Sequence, residues 1–324
     1  MIKLIKISFV IPCYGSELTI NGVLDEIHEV MSLKPEFDYE IICVNDSSPD
    51  GVYSVLRKRV NTDTKLTIIE LSRNMGKACA LLAGYSIVTG DHVVNVDDDG
   101  QCPLDRFWDL FEPMQNGFDV SIAAYPVKKQ SLLKNIGSWV NSLMARVLLR
   151  KPKGLKTSNF SIYRRYTVDE IKKYKNIYPY TFGFLLRVTS KMTNVKMEQR
   201  KRAAGKSTYT LRKSFAGWMN GFTAFSVVPL RISSFIGLLT AVVGFIYGIS
   251  IIIRSLVYNV NFLSGYPSIM IALLIIGGML MMMFGMLGEY LGRLYINQNN
   301  LPQFVIREIV KGDSSEEVSQ STPE

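Results

Sequence analysis

The chain has 324 residues, 48% of them hydrophobic, and a formal net charge of +9. Two histidines and four scattered cysteines (Cys13, Cys43, Cys79 and Cys102), with no CxxC pair, argue against a zinc site and for reduced thiols in the cytosol. The length fits one large domain or two ordinary ones, and the apolar residues are uneven: 1–230 read as a soluble domain and 232–287 as mostly apolar. A basic chain suits nucleic acid or an anionic membrane surface, and the apolar stretch favours the membrane.

Ile2 to Pro12 is short and carries Lys3 and Lys6, so it reads as a strand rather than a signal peptide. The strand runs from Ile5 to Ile11. Asn21 to Met31 has helical spacing, with Val23, Leu24, Ile27 and Val30 on one face. Tyr39 to Val44 is a second strand, ended by the turn signal Asn45 to Gly51. A helix over Val52–Val60, a strand over Leu66–Leu71, a helix over Lys77–Thr89 and a strand over His92–Val96 follow. This alternation predicts an α/β fold with a mostly parallel sheet covered on both faces. Chemistry is then expected just after each strand, near Tyr14, Asp46, Arg73 and Asp97.

Further on, Leu104–Met114 reads as a helix, Asp119–Ala124 as a strand and Leu132–Leu149 as an amphipathic helix. A strand over Asn159–Tyr163, a helix over Val168–Tyr174 and a helix from Phe182 to Met192 complete the soluble part.

The fourth strand runs into Asp97-Asp98-Asp99-Gly100-Gln101. Carboxylates two residues apart project to one side of an extended chain. Hard oxygen ligands at a strand end suit Mg²⁺ or Mn²⁺, which holds a diphosphate with few protein ligands. The bland alternative is a solvated acidic turn.

Seven basic residues stand between Lys196 and Lys213 against one acid, Glu198. Ser214–Val228 carries Phe215, Trp218, Met219, Phe222 and Phe225 at helical spacing, as an interfacial membrane helix does; an ordinary core helix is the alternative. Ile232–Ile253 and Ile269–Leu287 lack charges over 22 and 19 residues, close to the ~20 a membrane span requires. Basic residues flank the pair (Arg231 before, Arg293, Arg307 and Lys311 after), which predicts a cytosolic soluble domain and C-terminus. Arg254 departs from that rule and would snorkel to the far interface. Gly277, Gly278, Gly285, Gly288 and Gly292 allow close helix packing, and a homo-oligomer through these helices is one outcome. The expected divisions are therefore 1–213, 214–231, 232–296 and a polar, partly disordered tail at 297–324.

Together, Val10-Ile11-Pro12-Cys13-Tyr14, Val44-Asn45-Asp46-Ser47-Ser48, Leu71 to Lys77 and Asp97 to Gln101 resemble, in order, the motifs of family 2 glycosyltransferases of the GT-A fold. Arg202-Ala203-Ala204-Gly205-Lys206-Ser207 followed by two spans resembles the polyprenyl-phosphate branch, which includes dolichyl-phosphate mannose synthase and bacterial undecaprenyl-phosphate sugar transferases. The likeness covers residues 5–296. It implies a Rossmann-like GT-A domain, a nucleotide-sugar donor, a polyprenyl phosphate acceptor and a divalent metal; no nucleic acid is expected, because the basic patch abuts a membrane span.

By the same resemblance, Pro12, Tyr14, Glu17 and Asp46 line the nucleoside pocket, with Asp46 on the base or ribose. Arg73 and Lys77 reach the base or phosphates, and Asp98 joins the donor-binding set. Asp97 and Asp99 hold the metal, Asp99 most directly, and Gln101 touches the diphosphate or sugar. Arg202, Lys206 and Ser207 close over the phosphates; lipid-headgroup attraction is the other role open to this basic patch.

Two positions depart from the family pattern, which often reads Asp-x-Asp-Leu-Gln-Asp-Pro: Gly100 replaces Leu and Cys102 the last Asp. Asn159 stands where a further acid is often found, so no general base is evident. A lipid phosphate with a second pKa of about 6 is already ionised at pH 7 and needs positioning more than proton removal. The rival readings are a processive polysaccharide synthase, whose Gln-x-x-Arg-Trp motif is missing, and a membrane-anchored sugar-nucleotide binder that has lost catalysis.

Overall fold

Aliphatic runs bounded by turn residues build an eight-stranded sheet in the computed structural model, which describes residues 4–126, 152, 154–174, 179, 181–200, 228–258, 265–298 and 302–312. The elements β1 (Ile5–Cys13), α1 (Ile20–Ser32), β2 (Phe37–Asn45), α2 (Val52–Val60), β3 (Leu66–Leu71), α3 (Lys77–Ile87) and β4 (His92–Asn95) alternate as the sequence predicts. A single 3₁₀ turn (Leu104–Arg106) leads into α4 (Phe107–Gln115) and β5 (Val120–Ala124). Then come β6 (Ser161–Arg164), α5 (Arg165–Lys172), α6 (Thr181–Val188) and β7 (Met192–Lys196). The chain continues through α7 (Val228–Tyr258) and α8 (Tyr266–Gln298) to β8 (Ile306–Lys311).

The sheet order is β7-β5-β6-β4-β1-β2-β3-β8, with β6 and β8 antiparallel to the other six strands. The central strands are buried on both faces, which is why Phe9–Cys13 and Ile41–Val44 are continuously apolar. Period-two alternation splits them between two cores. Ile7, Phe9, Ile11, Ile41 and Cys43 pack with α1, α2 and α4, whereas Val10, Ile42 and Val44 pack with α3, α5 and α6. Helix α1 buries Ile20, Val23, Leu24, Ile27, Val30 and Met31, one stripe at helical spacing.

Three expectations are corrected. The helix opening near Phe182 stops at Val188, and Met192–Lys196 is a strand beside β5, with Lys191 O accepting from Asp119 N at 2.9 Å. The strand expected over Asn159–Tyr163 starts at Ser161 and ends at Arg164. The stretch assigned to the tail contains β8, which pairs with β3 and belongs to the same compact unit as residues 1–213. Its apolar alternation is broken because a bulge beside Glu70 and Leu71 takes Arg307 out of register. Glu70 and Glu308 face each other across the pair. Arg307 meets Glu70 at 3.2 Å, while Arg57 (3.1 Å) and the Tyr53 hydroxyl (2.5 Å) meet Glu308, offsetting a like-charge pairing. The amphipathic helix expected at 132–149 and the interfacial helix at 214–228 lie outside the described residues, apart from Val228, which opens α7.

The second compact unit, residues 214–301, contains α7 and α8. Ile275–Gly292 in α8 is the one window among the described residues long and apolar enough to cross a membrane. Ser234–Tyr247 in α7 is a shorter apolar stretch. Both helices leave large apolar side chains exposed, including Phe245, Met281 and Phe284.

The end of β8 is seated through Gly312, whose N–H donates to Leu66 O at 2.9 Å. A Cβ there would overlap the Asp63 carbonyl oxygen and lie 2.9 Å from Val60 O, both backbone atoms that do not step aside. Gly312→Ala should therefore destabilise the soluble unit by about 1–3 kcal/mol. Thermal melting of the full-length protein in detergent checks this, with a fall of several degrees expected; an unchanged midpoint would show that this contact does not hold the strand.

Candidate active site

Strands β4, β1, β2 and β3 lie side by side and parallel, so the segments following them gather along one edge of the sheet. The strand order reverses between β1 and β4, the position at which open α/β sheets bind ligands. Tyr14 follows β1 there, and Asp97 to Asp99 follow β4.

The loop after β1 is tied to the loop after β2. Gly15 N donates to Ser48 Oγ (2.8 Å), Glu17 N to Asp50 Oδ2 (2.9 Å) and Gly51 N to Glu17 Oε2 (3.0 Å). Ser47 adopts a left-handed backbone with φ 49° within this turn. Glu17, predicted to line the donor pocket, thus has its carboxylate on the backbone of the neighbouring loop. Pro12 is buried inside β1, paired with Val44, and presents no open face. Tyr14 is exposed, and its backbone N–H donates to Asp98 Oδ2 at 2.9 Å.

Asp46 is 3% exposed and accepts two backbone hydrogen bonds, from Met75 (2.7 Å to Oδ1) and Gly76 (2.8 Å to Oδ2). Burial raises its pKa, opposed by those two N–H donors. Through these two bonds Asp46, expected to contact base or ribose, holds the turn between β3 and α3. Gly76 has φ +85°, a conformation that L side chains rarely adopt, and it sets Lys77 as the first residue of α3. Arg73, in the same turn, donates from Nε to Met75 Sδ at 3.1 Å.

The three successive aspartates go to three places. Asp97 pairs with the Lys77 ammonium through Oδ1 and accepts from Asn159 Nδ2 at 3.0 Å through Oδ2. Asp98 turns toward Tyr14, and burial raises its pKa. Asp99 Oδ1 accepts from Gln101 N at 3.1 Å. Beneath them Cys102 is buried, its Sγ accepting from Asp97 N at 3.4 Å, and burial followed by the charge of Asp97 pushes the thiol up to about 12. Cys102 is an inert support for the acidic turn.

Gln101 is fixed from the far side. Its side-chain amide donates to Arg200 O (3.3 Å), and its own carbonyl accepts from Arg200 N (3.2 Å). Arg200 is clamped by Glu26, with NH1 2.8 Å from each carboxylate oxygen, and by Asp105 at 2.5 Å. Sequence reasoning placed Arg200 only within a local basic patch. Its partners, 174 and 95 residues away, leave no local signal. Arg202, Lys206 and Ser207 lie outside the described residues.

Among the described residues, no group of three or more His, Cys, Asp or Glu converges as a metal site. Asp97 and Asp99 remain as oxygen donors two apart, and the Lys77 ammonium shows that positive charge is favoured at Asp97. This set fits a Mg²⁺- or Mn²⁺-type ion, which binds through one or two carboxylates plus substrate phosphates. It does not fit an ion held by protein alone.

Residues 8–177 match the profile of glycosyl transferase family 2, and residues 228–294 that of the GtrB C-terminal hairpin. The chain is 31% identical over 310 residues to the SfII prophage-derived bactoprenol glucosyl transferase of Shigella flexneri, covering 95% of this chain and 99% of that protein. It is also 31% identical to a prophage bactoprenol glucosyl transferase homolog of Escherichia coli (strain K12), over 94% of this chain and 100% of that one. Among solved structures, glucosyl-3-phosphoglycerate synthase of Mycobacterium tuberculosis, in complex with Mn²⁺, UDP-glucose and phosphoglyceric acid, superposes with a TM-score of 0.51 at 18% identity. That likeness covers 68% of this chain and 78% of the other, and is a likeness of fold.

Asp46→Asn would leave one of the two backbone N–H groups facing an amide NH₂, at a cost of about 1–3 kcal/mol. Hydrogen exchange followed by mass spectrometry over residues 72–79 should then show protection falling about tenfold or more. Unchanged protection would mean that something other than Asp46 holds this turn.

Proposed function

The chain belongs to glycosyl transferase family 2 and is a glycosyltransferase, and we propose that it transfers a sugar from a UDP-sugar to undecaprenyl phosphate, inverting the anomeric carbon, with Mg²⁺ or Mn²⁺. The acceptor class is supported by two relatives named for bactoprenol, a polyprenol, which match nearly the whole chain. The observation that carries the mechanism is the Asp97 and Asp99 pair at the switch point of the sheet, next to the Lys77 turn that Asp46 fastens.

In this reading the exposed loop at Tyr14 and the turn from Arg73 to Lys77 receive the nucleotide. Asp97 and Asp99 would hold the metal, which would supply positive charge to the departing diphosphate. Lys77 adds a second cation beside those phosphates, Arg202 and Lys206 add positive charge toward the leaving group, and Ser207 takes part in donor binding. An acceptor phosphate oxygen bonds to the anomeric carbon as the bond to the diphosphate breaks, and the electron pair leaves with the nucleoside diphosphate. The acceptor is already largely ionised at pH 7, so no residue must remove a proton. Asn159 agrees with this: an amide accepts no proton at that pH, and its Nδ2 orients Asp97 instead.

The apolar α7 and α8 cross the membrane as a hairpin in the same proposal, placing the soluble unit at the cytosolic face by the basic residues that flank them. The lost-catalysis alternative rested on Cys102 and Asn159, and both residues support the acidic turn here.

The test is transfer by the full-length, detergent-purified protein given undecaprenyl phosphate, Mn²⁺ and a panel of nucleotide sugars, with lipid products read by mass spectrometry. One UDP-sugar should yield a lipid-linked product, and EDTA should abolish it. Asp99→Ala should reduce turnover by at least about 10²-fold with an unchanged circular dichroism spectrum. Undiminished turnover in that variant removes the metal assignment, and a product from a different nucleotide series removes the uridine assignment.

A further inference from the structure

We propose that Lys77 is a resident cation that blocks the metal-facing oxygen of Asp97 until the nucleotide diphosphate arrives, so that metal and nucleotide bind together rather than independently. This rests on the assignment of Asp97 and Asp99 as metal ligands.

Both oxygens of Asp97 are engaged: Oδ1 with the Lys77 ammonium and Oδ2 with Asn159 Nδ2 at 3.0 Å. The two contacts differ in kind. Asn159 is neutral, so it can keep its hydrogen bond while Oδ1 binds a metal. Lys77 is charged, and an ammonium and a divalent ion about 4 Å apart repel by about 2 kcal/mol even at the dielectric constant of water. A metal reaching Oδ1 of Asp97 is therefore opposed by Lys77 unless the ammonium moves away.

The anatomy of Lys77 permits that exchange. Its backbone is rooted, because Asp46 holds the N–H groups of Met75 and Gly76, and α3 begins at Lys77 itself. Its head has room to swing: a flexible four-carbon stem carries the ammonium, and the side chain is 42% exposed. Displaced without a phosphate nearby, the ammonium loses its carboxylate and gains only water. Displaced as a diphosphate arrives, it exchanges one anion for another. The metal thus binds weakly alone and tightly with the nucleotide, and by linkage the nucleotide gains the same factor from the metal.

The experiment measures Mn²⁺ binding by electron paramagnetic resonance to the full-length protein, with and without saturating UDP, and needs no turnover. UDP should tighten Mn²⁺ binding to the wild type by tenfold or more. Lys77→Met should bind Mn²⁺ alone about tenfold tighter than wild type, and UDP should improve that by much less. Lys77→Arg, which keeps the charge, should retain the wild-type pattern. The proposal is overturned if Lys77→Met binds Mn²⁺ alone no tighter than wild type while Asp99→Ala loses it. If Asp99→Ala binds Mn²⁺ as the wild type does, the metal assignment itself falls, whatever Lys77→Met does.

Discussion

The candidate site depends on one buried carboxylate. Asp46 takes the backbone N–H groups of Met75 and Gly76 on its two oxygens, and this fixes the turn from which α3 starts. If the turn shifts, Lys77 no longer starts where its ammonium meets Asp97. The cost of burying Asp46, visible in its raised pKa, is offset because each oxygen faces a donor with no helical partner of its own.

The acidic turn after β4 poses a related electrostatic problem. Three adjacent aspartates in a half-buried loop would repel one another and resist ionisation. The fold separates them by direction: Asp97 to Lys77 and Asn159, Asp98 back to the Tyr14 amide, Asp99 to its own turn at Gln101. The extended-chain argument that Asp97 and Asp99 share a side leaves Asp98 on the other, and the Tyr14 contact agrees with that division. Asp98 thereby links β4 to the loop after β1, a structural task that the donor-binding role implied by resemblance did not include.

The legible parts of the molecule are those governed by local rules. The alternation of apolar runs and turn signals placed β1 to β4 and α1 to α3 within two residues at each end, because continuous burial and helical spacing leave their mark on adjacent positions. Three features were not legible. The strand Met192–Lys196 carries no alternation of burial, since its residues are half-exposed at the sheet edge. β8 hides behind a bulge and interleaved charges. Arg200 owes its place to Glu26 and Asp105, which only the folded chain brings near. Each depends on contacts between distant segments, where sequence periodicity carries no signal.

Those less legible features share a position. The sheet-containing compact unit comprises residues 1–213 and resumes at Pro302. Arg200 exchanges two hydrogen bonds with Gln101, beside the acidic turn. At the return, Val305 O accepts from Ser72 N at 2.9 Å and Arg307 donates to Ser72 O at 3.3 Å, one residue before Arg73. Covering the open edge of β3 is reason enough for β8, since an unpaired edge strand invites association. Its register does more, because it fastens both backbone groups of the residue that opens the Lys77 turn. Arg200 and β8 thus brace, from two distant parts of the chain, the two loops that meet at the Lys77 and Asp97 pair.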